Sequence, residues 1–323
     1  MPALARRRMF RRVAVTVAAV TGSLLAATPT ASSSAVAPAI RSSNPTPPSV
    51  ILSVTGLTKN AYMRDPGDRG WTNLGGGMVG APAVAHVNGL THIIAQSRTG
   101  YLVHRTQNTG YHPITTSGRC RNPSAAAAGT RVTIACIGMN RHGYTLTFDG
   151  TQEQPALQPL RDIGGGLDSI EVMHADNDPV FAVTGGWYTA REGGQTWRAN
   201  TYVKDETQSS SWQRLSLPCD GPLASTLSAS HWFSSCQTGS AMSVLVMDAN
   251  KTPEVFTVPG RAAGKIGIAP VGDGSKAVLA VQGLDGYIRY RHVTMNGSVQ
   301  SHWTQLSGAA KGGVAAAPAS DLG

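Results

Sequence analysis

Trp303-Thr304-Gln305-Leu306-Ser307-Gly308, leading to Ala315-Ala316-Ala317-Pro318, copies Trp71-Thr72-Asn73-Leu74-Gly75-Gly76, leading to Gly80-Ala81-Pro82. The C-terminal stretch thus begins a repeat and stops after that repeat's first strand. At the other end, Val50-Ile51-Leu52-Ser53-Val54-Thr55-Gly56-Leu57 resembles Val278-Leu279-Ala280-Val281-Gln282-Gly283-Leu284, the middle of a repeat, and Tyr62-Met63-Arg64 reads as the strand that follows. Each end supplies what the other lacks. A sheet shared between the two ends hides strand edges and locks a ring.

The repeat recurs between these ends. β-Branched runs end in a Gly-aromatic pair and restart: 91–96 then Gly100-Tyr101, 131–136 then Gly143-Tyr144, 179–183 then Gly186-Trp187, and 277–281 then Gly286-Tyr287. The spacing of Gly100, Gly143 and Gly186 is 43 residues each time, and Ser243–Met247, preceded by Gly239, is a degenerate unit in the interval that follows. A period in the forties built of short strands predicts blades of four antiparallel strands, with glycine where a hairpin needs positive φ. No stretch carries a capped 3.6-residue apolar period, which excludes βαβ units. The expectation is an all-β, six-bladed β-propeller (alternatively seven-bladed, on a different count of 156–211), closed by a blade shared between N- and C-terminal strands.

Composition agrees. Of 323 residues, 37 are Gly and 19 Pro, and only 14% are charged, a balance that suits turns and opposes helical bundles. Arg6, Arg7, Arg8, Arg11 and Arg12 precede the apolar stretch 13–27 and a small-residue tail, so residues 1–35 read as a secretory signal peptide. Arg7-Arg8-Met9-Phe10 fits a twin-arginine export signal as well as a Sec leader. The apolar stretch, broken by Thr16, Thr21 and Gly22, is too short for a membrane anchor, and no stable anchor is expected once the leader is cleaved. Residues 36–48 read as a disordered linker and 49–323 as the propeller domain. Of the 27 basic residues, removing those five arginines leaves 22 against 18 acidic, a net +4, too mild to point to nucleic acid.

The four cysteines fall at equivalent places in two units, 16 and 17 residues apart, and the simplest pairing is Cys120–Cys136 and Cys219–Cys236, each stapling neighbouring strands of one blade. Such bonds persist in an extracellular protein. Neither pair has the short spacing of a zinc site. The nine histidines are scattered without metal-ligand spacing, so no metal and no cofactor is expected. Gly75-x-Gly77-x-x-Gly80 matches a dinucleotide fingerprint in letters only, because Pro82 and a strand follow it where a helix is needed.

Trp71–Gly77, Gly80–Ala85 and Tyr101–Gln107 together resemble one module of the PLL-like β-propeller lectins, of the tachylectin and fucose-binding-lectin type, and 284–292 with 303–318 are similar to a second. The resemblance implies a secreted, non-catalytic propeller that binds carbohydrate or a glycoconjugate at several inter-blade pockets. A weaker similarity links Glu192-Gly193-Gly194-Gln195-Thr196-Trp197 to the Asp-box hairpin of sialidase-type propellers.

A sugar presents a C–H face to aromatic rings and hydroxyls to hydrogen-bonding side chains. The candidate contacts are therefore Trp71, Trp212 and Trp303 at unit junctions, Tyr101, Tyr144, Trp187 and Tyr287 opening third strands, and the neighbouring His104, Arg105 and Arg289. Asp162, Asp168, Glu171, Asp176, Asp178 and Glu192 form the one acid-rich region, and two facing carboxylates there would make the rival reading, a glycoside hydrolase. A structural or protein-binding secreted propeller is the third.

Overall fold

The computed structural model describes residues 49–319, apart from 115–118, 176–177, 186–198, 206–211, 229–230 and 249–252. The expected leader and linker, Trp187 and the 192–197 hairpin lie outside the described residues.

Every element described is a strand. In chain order these are β1 (Val50–Gly56), β2 (Ala61–Arg64) and β3 (Thr72–Gly75); then β4 (Met78–Val87), β5 (Leu90–Ser97), β6 (Leu102–Thr106) and β7 (His112–Pro113). Next come β8 (Cys120–Ala128), β9 (Arg131–Gly138), β10 (Gly143–Asp149) and β11 (Arg161–Gly164), followed by β12 (Ser169–Ala175), β13 (Asp178–Gly185), β14 (Ala199–Asp205) and β15 (Gln213–Cys219). The chain continues with β16 (Leu223–Leu227), β17 (His231–Thr238), β18 (Ala241–Asp248) and β19 (Glu254–Pro259), and ends with β20 (Gly267–Val271), β21 (Lys276–Gln282), β22 (Tyr287–Thr294) and β23 (Thr304–Pro318).

β4–β7, β8–β11, β12–β15 and β16–β19 each form a four-stranded antiparallel sheet, and the remaining strands form a seven-stranded one ordered β20-β21-β22-β23-β1-β2-β3. The 15-residue β23 makes that sheet continuous. Its first half pairs with β22, with Gln305 opposite Arg289, and its second half pairs with β1, with Ala316 opposite Leu52 and Val314 opposite Val54. The two terminal segments therefore lie in one sheet, as their sequences predict.

Burial follows strand position. Second strands such as β9 and β21 are buried at every residue after the first, because apolar sheets cover both of their faces. Fourth strands such as β19 are largely exposed. First strands are built of small residues, among them Ala125–Ala128 and Ala315–Ala317. These inner strands lie side by side in the order β4, β8, β12, β16, β20, β23, and β23 lies beside β4 again. They line a cavity of about 100 Å³.

Both disulfides form as the spacing predicts. Cys120–Cys136 joins β8 to β9 within one sheet. Cys219, however, still belongs to β15, paired with Ala199, so its bond to Cys236 on β17 ties one sheet to the next. The chain crosses between sheets a few residues later there than the repeat suggests.

Candidate functional site

The repeating feature that builds a site is the turn between second and third strands. In the turns starting at Gly56, Ser97, Gly138 and Gly283, the fourth residue donates its amide to the first residue's carbonyl, from Lys59, Gly100, Arg141 and Gly286 respectively. Those four residues all have positive φ, 66°, 89°, 66° and 85°. This register corrects the 43-residue glycine spacing. The counterpart of Gly100 in the second unit is Arg141, and Gly143 is a buried strand residue two positions further on. Tyr144 accordingly does not correspond to Tyr101 and Tyr287. It corresponds to Tyr62 and Arg289.

These three side chains fold back over their own turns. A Cβ on Gly56 or Gly138 would sit 2.5 Å from the ring of Tyr62 or Tyr144, and one on Gly283 would strike the Arg289 guanidinium. That is why glycine opens the turn. In each case the third turn residue holds the overlying side chain: Thr58 Oγ1 is 3.2 Å from the Tyr62 hydroxyl, Asn140 donates to the Tyr144 hydroxyl at 3.0 Å, and Asp285 accepts from Arg289 at 2.7 and 2.5 Å. The Arg289 contact holds the Asp285 carboxyl down at about 2. The second turn residue points outward, and Leu57, Met139 and Leu284 are 68%, 73% and 69% exposed.

The junction tryptophans complete two crevices. Trp71 donates Nε1–H to Ser307 O at 2.6 Å, across from β3 to β23, and lies against Gly308. Trp303 donates to Pro259 O at 3.0 Å, across from β23 to β19, and lies against Gly260. Both glycines have positive φ, 87° and 131°. The Trp71 crevice encloses about 280 Å³ among Val54, Leu57, Thr58, Tyr62 and Ala309. The Trp303 crevice encloses about 410 Å³ among Val281, Leu284, Asp285, Arg289 and Arg261. Position by position they are one design, with Val54 answering Val281, Leu57 answering Leu284, and Tyr62 answering Arg289.

Other sequence candidates take different places. Tyr101 and Tyr287 are exposed at the starts of third strands. Arg105 lies over the Tyr111 ring, 5.1 Å from its centre, and donates to Leu74 O at 2.5 Å. Tyr111 packs on Gly76 as the tryptophans pack on Gly308 and Gly260. In that third junction the Arg98 side chain lies against Gly77. Trp212 packs against the core between the second and third sheets, with the Lys204 ammonium 5.7 Å from its ring centre.

His104 is a correction. It is 2% exposed and bonded to His92 at 2.9 Å, edge-on to Phe148 in the core, so it cannot reach a crevice. Burial pulls its pKa down to about 3, with the neighbouring His92 adding to the effect. The acid-rich region also resolves into separate contacts. Asp168 pairs with Arg141 at 2.7 Å, Asp162 with His142 at 2.9 Å, and buried Glu171 with Lys265 at 3.0 Å. Asp176 and Glu192 lie outside the described residues. Sequence reasoning missed Leu57, Tyr62, Arg261, Leu284 and Asp285. The signal that marks most of them is the similarity of Gly56-Leu57-Thr58 to Gly283-Leu284-Asp285.

No protein-family model and no curated protein matches the chain. Solved structures do. TolB from Acinetobacter baumannii is similar with a TM-score of 0.55 at 16% identity, covering 84% of this chain and 67% of that one. A mutant Aleuria aurantia lectin in complex with Fucα1-6GlcNAc is similar with a TM-score of 0.50 at 13% identity, covering 70% and 78%. AofleA from Arthrobotrys oligospora gives 0.51 at 11% identity, covering 72% and 73%. The fold is a β-propeller. That architecture is shared with TolB and with the Aleuria aurantia lectin, and at these identities the likeness extends to the fold alone.

Proposed function

We propose that the chain is a secreted, non-catalytic, carbohydrate-binding propeller that grips sugars weakly at several crevices between blades. The observation that carries this is the matched pair of crevices at Trp71 and Trp303. Each offers an indole, an exposed leucine and hydrogen-bonding side chains in one small concavity, a combination that suits a ring with one apolar face and several hydroxyls. The lectin whose fold this chain shares was solved with a fucosylated disaccharide. Repetition makes weak sites sufficient, since a glycan-bearing surface engaged at two points gains avidity without a stronger single contact.

Six blades, closed through the shared strand β23, is the count we infer. It is supported by six inner strands that neighbour one another in turn and by the pairing of β23 with both β22 and β1. Removal of residues 1–35 on export fits the two disulfides, which persist in oxidising compartments.

The test is a glycan array with the mature chain and its Trp71→Ala and Trp303→Ala variants. Binding that falls at least fivefold in either variant, with the fold retained, supports the proposal. Absence of binding to every glycan overturns it. Turnover of a fluorogenic glycoside would replace it with the hydrolase reading. The exposed Leu57, Met139 and Leu284 favour the protein-binding reading next, and capture of one defined protein partner without glycan binding would establish that instead.

A further inference from the structure

The two crevices share a design but differ in charge. At Trp71 the positions around the indole are Thr58, Tyr62 and Ala309, all neutral. At Trp303 the equivalent positions are Asp285, Arg289 and Arg261. The alignment of Arg261 with Ala309 follows from the segments that carry them, since Pro259-Gly260-Arg261 and Ser307-Gly308-Ala309 each supply the carbonyl that receives the indole N–H and the glycine beneath the ring.

Within the Trp303 crevice the charges do not cancel. The Arg289 fork is spent on both oxygens of Asp285 and on Gln305 Oε1 at 2.8 Å, which fixes it and neutralises it. Arg261 is exposed on the crevice wall and makes no ion pair with any described residue. A third guanidinium, Arg291, lies 5.0 Å from the centre of the Trp303 ring and is itself tied to Ser301 O. The crevice thus presents an indole, a neutralised ion pair and one uncommitted planar cation. Arginine's paired N–H donors match a carboxylate bidentately.

We propose that the Trp303 crevice takes an acidic sugar, a hexuronic acid residue whose carboxylate pairs with Arg261, while the Trp71 crevice, with no cation at that position, takes a neutral one. This rests on the sugar-binding reading above and narrows it: the two crevices have diverged in ligand class, so the molecule recognises two kinds of residue in one glycan.

The experiment is an NMR titration that follows the indole N–H signals of Trp71 and Trp303. The ligands are methyl β-D-glucuronide, methyl β-D-glucoside, methyl α-D-galacturonide, methyl α-D-galactoside and methyl α-L-fucoside. The Trp303 signal is expected to move with at least one uronide at concentrations about fivefold lower than with its neutral partner. That preference should vanish in Arg261→Gln and weaken as salt is raised. The Trp71 signal is expected to respond to neutral sugars and to be indifferent to Arg261→Gln. If Trp303 responds equally to each acidic and neutral pair, or keeps its preference in Arg261→Gln, the acidic assignment is overturned while sugar binding stands. If neither indole moves with any of the five, both readings fall together. Arg261 is exposed, so the variant is expected to fold, and the unchanged positions of other amide signals check this.

Discussion

Lys265 Nζ lies 3.0 Å from Glu171 Oε1, although Lys265 precedes β20 and Glu171 lies on β12, with β16 between those two strands. The ammonium also donates to Pro123 O at 2.6 Å, and Ser124 Oγ donates to the other carboxylate oxygen at 2.7 Å. One buried ion pair therefore ties the residues before β20 to β8 and β12 at the inner cavity. Removing one partner leaves the other charged and buried, which costs about 3–5 kcal/mol. We expect Lys265→Met to lower the free energy of unfolding by that amount, read from the fall in the urea midpoint at unchanged m-value. The double variant Lys265→Met/Glu171→Leu should recover more than half of the loss. A single variant within about 1 kcal/mol of wild type would show that the pair carries little.

The buried histidines set an acid limit. His92 Nε2–H donates to Gly150 O at 2.8 Å, so neutral His92 accepts through Nδ1 from His104 Nε2–H. Burial lowers both pKa values below 6.5, that of His104 to about 3. The folded form thus binds fewer protons than the unfolded chain in this range. Stability is complete above pH 6.5 and is lost as pH falls towards 3, by about 1.4 kcal/mol per unit for each histidine held neutral. Urea midpoints measured from pH 7 to pH 4 should fall accordingly. His104→Gln keeps a donor but cannot titrate, and should flatten the profile by about one proton's worth. An unchanged slope would remove the pair from the account.

Reduction should weaken the fold unevenly in space. Each disulfide closes a loop of 16 or 17 residues, worth about 3 kcal/mol. Because only Cys219–Cys236 crosses from one sheet to the next, hydrogen exchange in Cys219→Ser/Cys236→Ser should quicken at β15 and β16 and leave β5 unaffected. Uniform quickening would argue that the bond acts on the unfolded chain alone.

Gly313 tests how closely the inner strands converge. Its φ is 107°, and a Cβ there would lie 2.2 Å from Lys265 N and 2.4 Å from Lys265 O, backbone atoms with no room to move. We expect Gly313→Ala to cost more than about 2 kcal/mol, from backbone strain and overpacking together. Gly297→Ala, at φ 74° but with Phe256 no nearer than 3.5 Å, should cost about 1 kcal/mol. Equal midpoints for the two would contradict the convergence.

Much of the architecture was legible because repetition is visible in letters. The copy of Trp71–Gly76 at Trp303–Gly308, and of Val50–Leu57 at 278–284, is enough to place β1 beside β23. The site was less legible. Gly100 and Gly143 look equivalent, yet the left-handed position is filled by Arg141, so glycine spacing misphased the second unit by two residues. A His beside an Arg on a strand also looks like a binding pair, yet alternation sends His104 inward and Arg105 outward. Arg261 becomes visible only in three dimensions, where Pro259-Gly260-Arg261 matches Ser307-Gly308-Ala309 beneath an indole, because a single arginine in a loop carries no motif.

The partnership of β1 with the end of β23 also fixes an order of events. Val54 and Val314 are opposite each other but 260 residues apart in the chain. At 5–20 residues per second, synthesis of the intervening stretch takes roughly 15–50 s. Through that interval β1 has β2 on one flank and nothing on the other, with its amides and carbonyls open to any extended neighbour. The last sheet must therefore be assembled after translation has passed Pro318, and the nascent chain needs shielding at its first strand until its last one arrives.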